Sequence, residues 1–402
     1  MKSLLDWWRG ESWMRAAVAA WCILLGVTLI KPLVRPVSGT IYPTYAKAGE
    51  EFAAERRLYD VPHPHTDNFR YSPLVAAAFA PFSWLPLGVG GWLWRIVSDA
   101  VFLTGVAAWM RRVCPHVPKG LYWLLAIPLA IGSLNNGQAN TIVAGFLLWG
   151  TCLASNGRWA VSAVLVAAAT LFKIYPVAFA ALLGLLAPIR FGVPFALAIG
   201  AGLALPFAFA SPDYVADQYR FWLANLGADD RSHFAPHAGL QDVQMLLRVF
   251  GTPLPLSEYR YLQVAAGGAV AVIVLWLRWS GRTKSETVLA AFSLYACWVL
   301  TFGPAVETST YVLMAPLFAR ELLDRRGQPR WALRAAVVGA AILVSIRIAL
   351  ALPRVVHQPY IALGVYPIGT LLLAGAIVGR ILHREPPIAA TAAERAPFKH
   401  AA

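Results

Sequence analysis

Charge is what this chain has least of. Lys, Arg, Asp and Glu together make up 13% of the 402 residues, against roughly 25% in soluble domains. That scarcity, with 58% hydrophobic residues and a mean hydropathy of +0.58, excludes a soluble enzyme and makes the chain an integral membrane protein. Acidic residues are scarcer than basic ones, 20 against 34, but most Lys and Arg fall in short gaps between apolar runs, where they act as topology signals. Nucleic acid is therefore excluded as a partner. Four cysteines, Cys22, Cys114, Cys152 and Cys297, stand singly, without the spacing of a zinc site or a disulfide framework. The basic, apolar N-terminal stretch lacks a small-residue cleavage site, so a retained first helix is expected over a removed signal peptide. No internal repeat links the two halves.

What is present is a succession of apolar runs, with room for about ten to thirteen spans of roughly 20 residues. The expected spans are Ala16 to Ile30, Ser72 to Trp84, Val89 to Met110, Leu121 to Gly132, Thr141 to Ala154, Trp159 to Phe172, Val177 to Leu186 and Phe191 to Phe209. Tyr261 to Leu277, Val288 to Phe302, Tyr311 to Leu323, Ala332 to Leu352 and Ile361 to Ile381 follow. Lys2, Arg9 and Arg15 before the first run put the N-terminus in the cytoplasm and the loop 35–73 outside. Arg278, Arg282 and Lys284, then Arg320 to Arg334, then Arg380 and Arg384, mark later cytoplasmic gaps. The second long polar interval, 211–258, the turn at Glu307 and the segment with Arg354 then share the outer side with the first loop. Both termini inside demand an even number of crossings, so Ser72 to Trp84 is expected not to cross fully. Residues 1–384 read as one transmembrane unit, and 385–402 as a disordered cytoplasmic tail.

Four polar clusters stand out. The first outer loop carries Glu50, Glu51, Asp67, Lys47, Arg56, Arg57 and Arg70, and within it Tyr42 to Tyr59 reads as an amphipathic helix lying on the membrane surface. A second cluster, Ser133-Leu134-Asn135-Asn136-Gly137-Gln138-Ala139-Asn140, gathers amides where two spans meet; at membrane depth these either glue helices together or line a polar cavity. In a third, Phe172-Lys173-Ile174-Tyr175-Pro176, the lone Lys173 either snorkels to the interface or neutralises a phosphate as a compact point charge. The fourth is Glu307, in the turn Gly303 to Thr308. There it could act as a base held by Pro304, or pair with an Arg such as Arg347 to join two helices.

The loop IYPTYAKAGEEF…LYD…FRYSP, then NNGQAN, then FKIYP, in this order, resembles glycosyltransferase family 87, polyprenyl-phosphate-mannose-dependent mannosyltransferases of the GT-C membrane fold. FKIYP is also similar to the corresponding block of GPI mannosyltransferase I. The resemblance covers Ile41 to Pro188 by motif. It implies an all-α polytopic GT-C protein, in the bacterial inner membrane, that takes a sugar from a polyprenyl-phosphate carrier and passes it to a lipid-linked or glycan acceptor on the outer face. Inversion at the anomeric carbon is implied, with a general base on the acceptor and cations on the departing phosphate. Tyr42, Arg70, Tyr71, Asn136, Gln138, Asn140, Lys173 and Tyr175 fall in the matching blocks and are the expected substrate-binding set; Arg354, with Arg35 and Arg56, is a candidate helper for the phosphate.

The chain departs from this family at one position. Family members carry an Asp four residues before the tyrosine matched by Tyr42, and here that residue is Ser38. A serine cannot serve unaided as the base, so a replacement carboxylate is sought among Glu307, Glu50, Glu51 and Asp67, with Glu307 leading because its turn is the more rigidly placed. The first loop has no DxD pair, so no metal or other cofactor is expected. Beside the transferase, a lipid or glycolipid transporter and a non-catalytic GT-C scaffold remain readings of the same sequence.

Overall fold

The chain is described by a computed structural model over residues 12–61, 66–228, 240–303, 306–324, 331–349 and 359–382. Arg354, Pro304 and the segment 385–402 lie outside the described residues, and so does the side chain of Arg347. The architecture is all-α and polytopic, with no strand among the described residues. Its helices are α1 (Ser12–Val34), α2 (Tyr42–Ala53), α3 (Pro73–Phe79), α4 (Leu87–Val113), α5 (Lys119–Asn136), α6 (Asn140–Ser155), α7 (Trp159–Phe172) and α8 (Pro176–Leu186). They continue as α9 (Val193–Ala204), α10 (Pro212–Ala228), α11 (Val243–Val249), α12 (Leu256–Trp279), α13 (Lys284–Phe302), α14 (Ala315–Leu323), α15 (Trp331–Ala349) and α16 (Val365–Leu382). Among the described residues, five helical stretches are long and apolar enough to cross a membrane: Ser12–Val34, Leu87–Val113, Pro188–Ala208, Leu256–Trp279 and Lys284–Phe302. Shorter apolar helices, among them α6, α7 and α8, fill the space between them.

The centre is built from α4, α6 and α13, which are buried along much of their length. Gly105 of α4 and Gly145 of α6 allow the two backbones to touch: a Cβ on Gly145 would lie 2.6 Å from the carbonyl carbon of Val101, and one on Gly105 2.8 Å from the carbonyl oxygen of Gly145. In lipid, where apolar side chains gain nothing by leaving their surroundings, such close backbone approach is a principal source of helix association. In contrast, α12 exposes Tyr261, Val264, Val272 and Trp279, the pattern of a helix facing hydrocarbon.

Two ends of the bundle differ in chemistry. At one end Arg112 donates to Ser155 and Ser285, Arg282 to the carbonyl of Ile381, and Arg380 to the buried Glu321. At the other end lie α2, the turn between α5 and α6, the break between α7 and α8, and the 3-10 turn Thr308–Met314. Ser72–Trp84 forms α3 and a 3-10 turn (Ala80–Trp84) and is too short to cross, as its sequence suggests.

The helix expected to lie on the membrane surface is packed against protein around most of its circumference. In α2, Tyr42, Tyr45 and Phe52 are buried, and so are Ala46, Ala48, Gly49 and Glu51 on the flanks. A Cβ on Gly49 would stand 2.4 Å from the carbonyl oxygen of Phe79. The small residues that look neutral in the sequence are thus a second contact face, against α3 and its 3-10 extension, and α2 is clamped inside the protein.

The α4–α6 contact gives a direct test. Gly145→Val should separate the two backbones and destabilise the protein by roughly 1 to 3 kcal/mol, seen as a lower thermal midpoint in detergent; an unchanged midpoint would show that the glycine contact carries no weight.

Candidate active site

Two proline- and glycine-controlled breaks make the site. Helix α7 stops at Phe172 because Pro176, four residues on, lacks the N–H that the carbonyl of Phe172 would receive. Lys173 leaves the helix in an extended conformation and Pro176 opens α8 at its first turn, where a missing N–H costs nothing. Helix α5 ends at Gly137, left-handed at φ 64°, with Gly137 N–H on the carbonyl of Leu134 (3.2 Å) and Gln138 N–H on that of Ser133 (3.1 Å). This is a Schellman closure, and glycine is needed at its left-handed position.

The turn so formed is held by its carbonyls. That of Asn135 accepts from Lys31 and from Arg95, each at 3.1 Å; that of Asn136 from the Ile41 N–H at 3.0 Å; that of Gly137 from Trp94 Nε1 at 2.8 Å. Arg95 is fully buried on α4 and also donates to Thr40 Oγ1 at 3.1 Å. A side chain on Gly137 would meet the Arg95 guanidinium at 3.1 Å. The FRYSP segment is fixed in the same way: Ser72 donates to the Leu171 carbonyl (2.9 Å), Trp222 of α10 to that of Arg70 (3.3 Å), and the hydroxyls of Tyr45 and Tyr71 meet at 2.9 Å.

These segments enclose two cavities. The first, about 360 Å³, is lined by Asp67, Arg70 and Tyr71 of the first loop, Asn136 and Gln138, Lys173 and Tyr175, Trp222 and Asn225 of α10, and Glu307. Lys173 Nζ lies 5.8 Å from the centre of the Tyr71 ring, within cation–π range. The second, about 500 Å³, runs between α1 and α5 and is lined by Leu24, Val27, Leu129, Ile131, Tyr311 and Tyr366; Asn136, Gln138 and Glu307 line it too. Both fall in the size range of ligand sites. Glu307 therefore stands where the two meet.

Glu307 is anchored by its own turn. It caps Thr308–Met314, its carboxylate accepting from the Thr310 backbone while its own N–H donates to Thr310 Oγ1, and Ser309 Oγ donates to its Oε2 at 3.3 Å. Ser309 Oγ accepts from Asn140 Nδ2, and Asn140 Oδ1 accepts from Tyr175 OH, both at 3.0 Å. Burial holds the Tyr175 hydroxyl well above its usual range, so it stays a donor.

The structure thus brings Asp67, Arg70, Tyr71, Asn136, Gln138, Lys173, Tyr175 and Glu307 to one cavity, and leaves Asn140 buried just behind it. Three others are elsewhere. Tyr42 is packed into the core of α2, and Glu50 and Glu51 face away from both cavities, bound to Lys47 and Arg56. For Glu51, burial alone would raise the carboxyl, but Arg56 and Lys47 outweigh it and hold it below the usual range. Ser38 is exposed and lines neither cavity. Sequence reasoning passed over Arg95, Lys31, Trp94 and Ser309. Arg95 had a visible signal, an ionisable side chain inside an apolar span; Ser309 had none.

The sequence model of glycosyltransferase family 87 matches residues 69–304. No curated protein matches the chain. Among solved structures, the chain is similar to ArnT from Cupriavidus metallidurans bound to undecaprenyl phosphate, with 14% identity, 92% of this chain and 78% of that chain covered, and a TM-score of 0.40. ArnT of the same organism in the apo state is similar at 13% identity, with the same coverage and TM-score.

Glu51 yields a pH prediction. Its folded carboxyl is depressed relative to the unfolded value of about 4.3, so its contribution to stability is complete above that value and lost as pH falls through the depressed one. Glu51→Gln should cost no more than about 1 kcal/mol of stability at neutral pH, read as a lower thermal midpoint, since Lys47 and Arg56 are partly in solvent, and the difference should vanish in acid. A deficit that stays constant in acid would exclude the ion pairs as its source.

Proposed function

We propose that this chain, which belongs to glycosyltransferase family 87, transfers a sugar from a polyprenyl-phosphate carrier to an acceptor hydroxyl by a single inverting displacement. The observation that carries the reading is the position of Glu307 on the shared wall of two cavities, one of which holds Lys173 and Arg70. In the first cavity Lys173 and Arg70 would receive the phosphate, whose charge grows as it departs; in a partly dry site such cations contribute far more than in water. The acceptor would reach the wall from the second cavity, where Leu24, Val27, Leu129 and Ile131 suit the apolar part of a lipid-linked molecule.

The acceptor oxygen attacks the anomeric carbon opposite the phosphate and loses its proton to Glu307; the bond from that carbon to the phosphate oxygen breaks, and polyprenyl phosphate leaves. Glu307 replaces the carboxylate that Ser38 does not supply. Asn136 and Gln138, facing both cavities, would hold sugar hydroxyls between them. Mannose is the sugar we favour, from the resemblance of Phe172 to Pro176 to GPI mannosyltransferase I. The chain would act as one GT-C catalytic unit in a bacterial inner membrane. Its cavities would face outward, because Arg112, Arg282, Arg320 and Arg380 at the opposite end suit the cytoplasmic side.

Purified protein presented with a panel of polyprenyl-phosphate sugars and lipid extract as acceptor should release polyprenyl phosphate from one of them. Lys173→Met should lower kcat/KM by about 100-fold or more, the scale of losing one transition-state charge partner. Glu307→Gln keeps size but not basicity and should lower kcat by about 10²- to 10⁴-fold. Parental turnover in either folded variant would remove that residue from the mechanism.

A further inference from the structure

The carboxylate at Glu307 ends a chain of hydrogen bonds whose direction is fixed from its far end. Tyr175 OH, buried and protonated, donates to Asn140 Oδ1, which settles which end of the Asn140 amide is oxygen. Asn140 Nδ2 then donates to Ser309 Oγ. Having accepted there, Ser309 turns its single hydrogen to Glu307 Oε2. Asn140 is fully buried, so water does not supply it an alternative set of partners, and Ser309 opens only slightly onto the second cavity. With the Thr310 backbone also capping the carboxylate, Glu307 meets donors on this side, and donors favour its ionised, basic form.

We propose that Asn140 and Ser309 are positioning residues that keep Glu307 ionised and aimed at the wall between the two cavities, an inference that rests on Glu307 acting as the base. Neither lines the first cavity, where Lys173 and Arg70 stand, although Ser309 borders the second. Their function is to make a carboxylate in a 3-10 turn serve where the loop residue Ser38 cannot. Other charged or titratable groups face the same space: Arg70, Lys173, Asp67 and Tyr71 line the first cavity, Tyr311 and Tyr366 the second, and Tyr45 and Tyr175 couple to Glu307 electrostatically. None of these is altered by the substitutions below.

Ser309→Ala removes the hydroxyl that donates to Glu307 Oε2. Asn140→Asp is nearly isosteric but accepts at both oxygens, so it draws the Ser309 hydrogen away from Glu307. Both should raise the acid limb of the pH profile of kcat/KM by about 1 unit, the scale of one hydrogen bond to a charged group, with about a tenfold loss of turnover below that limb. Ser309→Thr keeps the hydroxyl and should restore the parental profile. The same shift should be read without turnover, by infrared titration of the carboxyl band in nanodiscs, assigned to Glu307 by its absence in Glu307→Gln.

A band that titrates in Ser309→Ala and Asn140→Asp as in the parent overturns the proposal, even if turnover falls. A fall in turnover at all pH values with an unmoved limb overturns it too, since that is what loss of packing alone produces. A band that shifts, in a parent protein that releases polyprenyl phosphate from no donor, supports the positioning and refutes the transferase reading.

Discussion

Three consecutive carbonyls at the end of α5 hold the site together. In an apolar medium a backbone group without a partner costs several kcal/mol, and the carbonyls of Asn135, Asn136 and Gly137 protrude where the helix has ended. Lys31 from α1, Ile41 from the start of α2, and Trp94 and Arg95 from α4 meet that need. The demand of one turn for donors therefore ties four elements to a common point. Once it is met, the side chains of Asn136 and Gln138 have no choice but to face the cavities.

From that point the chemistry is arranged by breaks in helices. Lys173 is presented because α7 cannot pass Pro176, and Glu307 because a 3-10 turn begins there with its carboxylate as cap. A lysine inside a continuous apolar helix would have to snorkel along its neighbours to reach water. At a break it projects directly into the cavity, beside Tyr71 and in the same space as Arg70. The cost of each break is local, a few backbone groups to be satisfied, and the neighbouring helices satisfy them.

What was legible in the sequence follows the range of each interaction. Long apolar runs announced α1, α4, α12 and α13 to within a few residues at most ends, because burial in lipid depends on composition alone. The breaks fall at Gly137 and Pro176, in the short intervals left between expected spans, because backbone chemistry is local. The family motifs brought Arg70, Asn136, Gln138 and Lys173 into one set. Less legible was anything set by what lies opposite: the second buried face of α2 is made of Ala46, Ala48 and Gly49, and Gly49 reveals itself as a contact only when Phe79 is beside it. Tyr42 was offered to substrate and is core. Ser309 carries no signal at all until Asn140, 169 positions away, is found donating to it.

Residue 38 and Glu307 differ in how the fold holds them. A base in the first loop would depend on a short exposed turn for its placement, and Ser38 sits in such a turn. Glu307 is fixed by its own cap and by side chains from α6 and from the α7–α8 break, and it reaches both cavities. Fixing a group before the reaction spares the reordering that a mobile one must undergo in the transition state. It also places the carboxylate in the same cavity as Lys173 and Arg70, whose positive charge helps offset the cost of a half-buried anion. The cations that would draw off the departing phosphate thus line the same cavity as the carboxylate that would take the acceptor's proton.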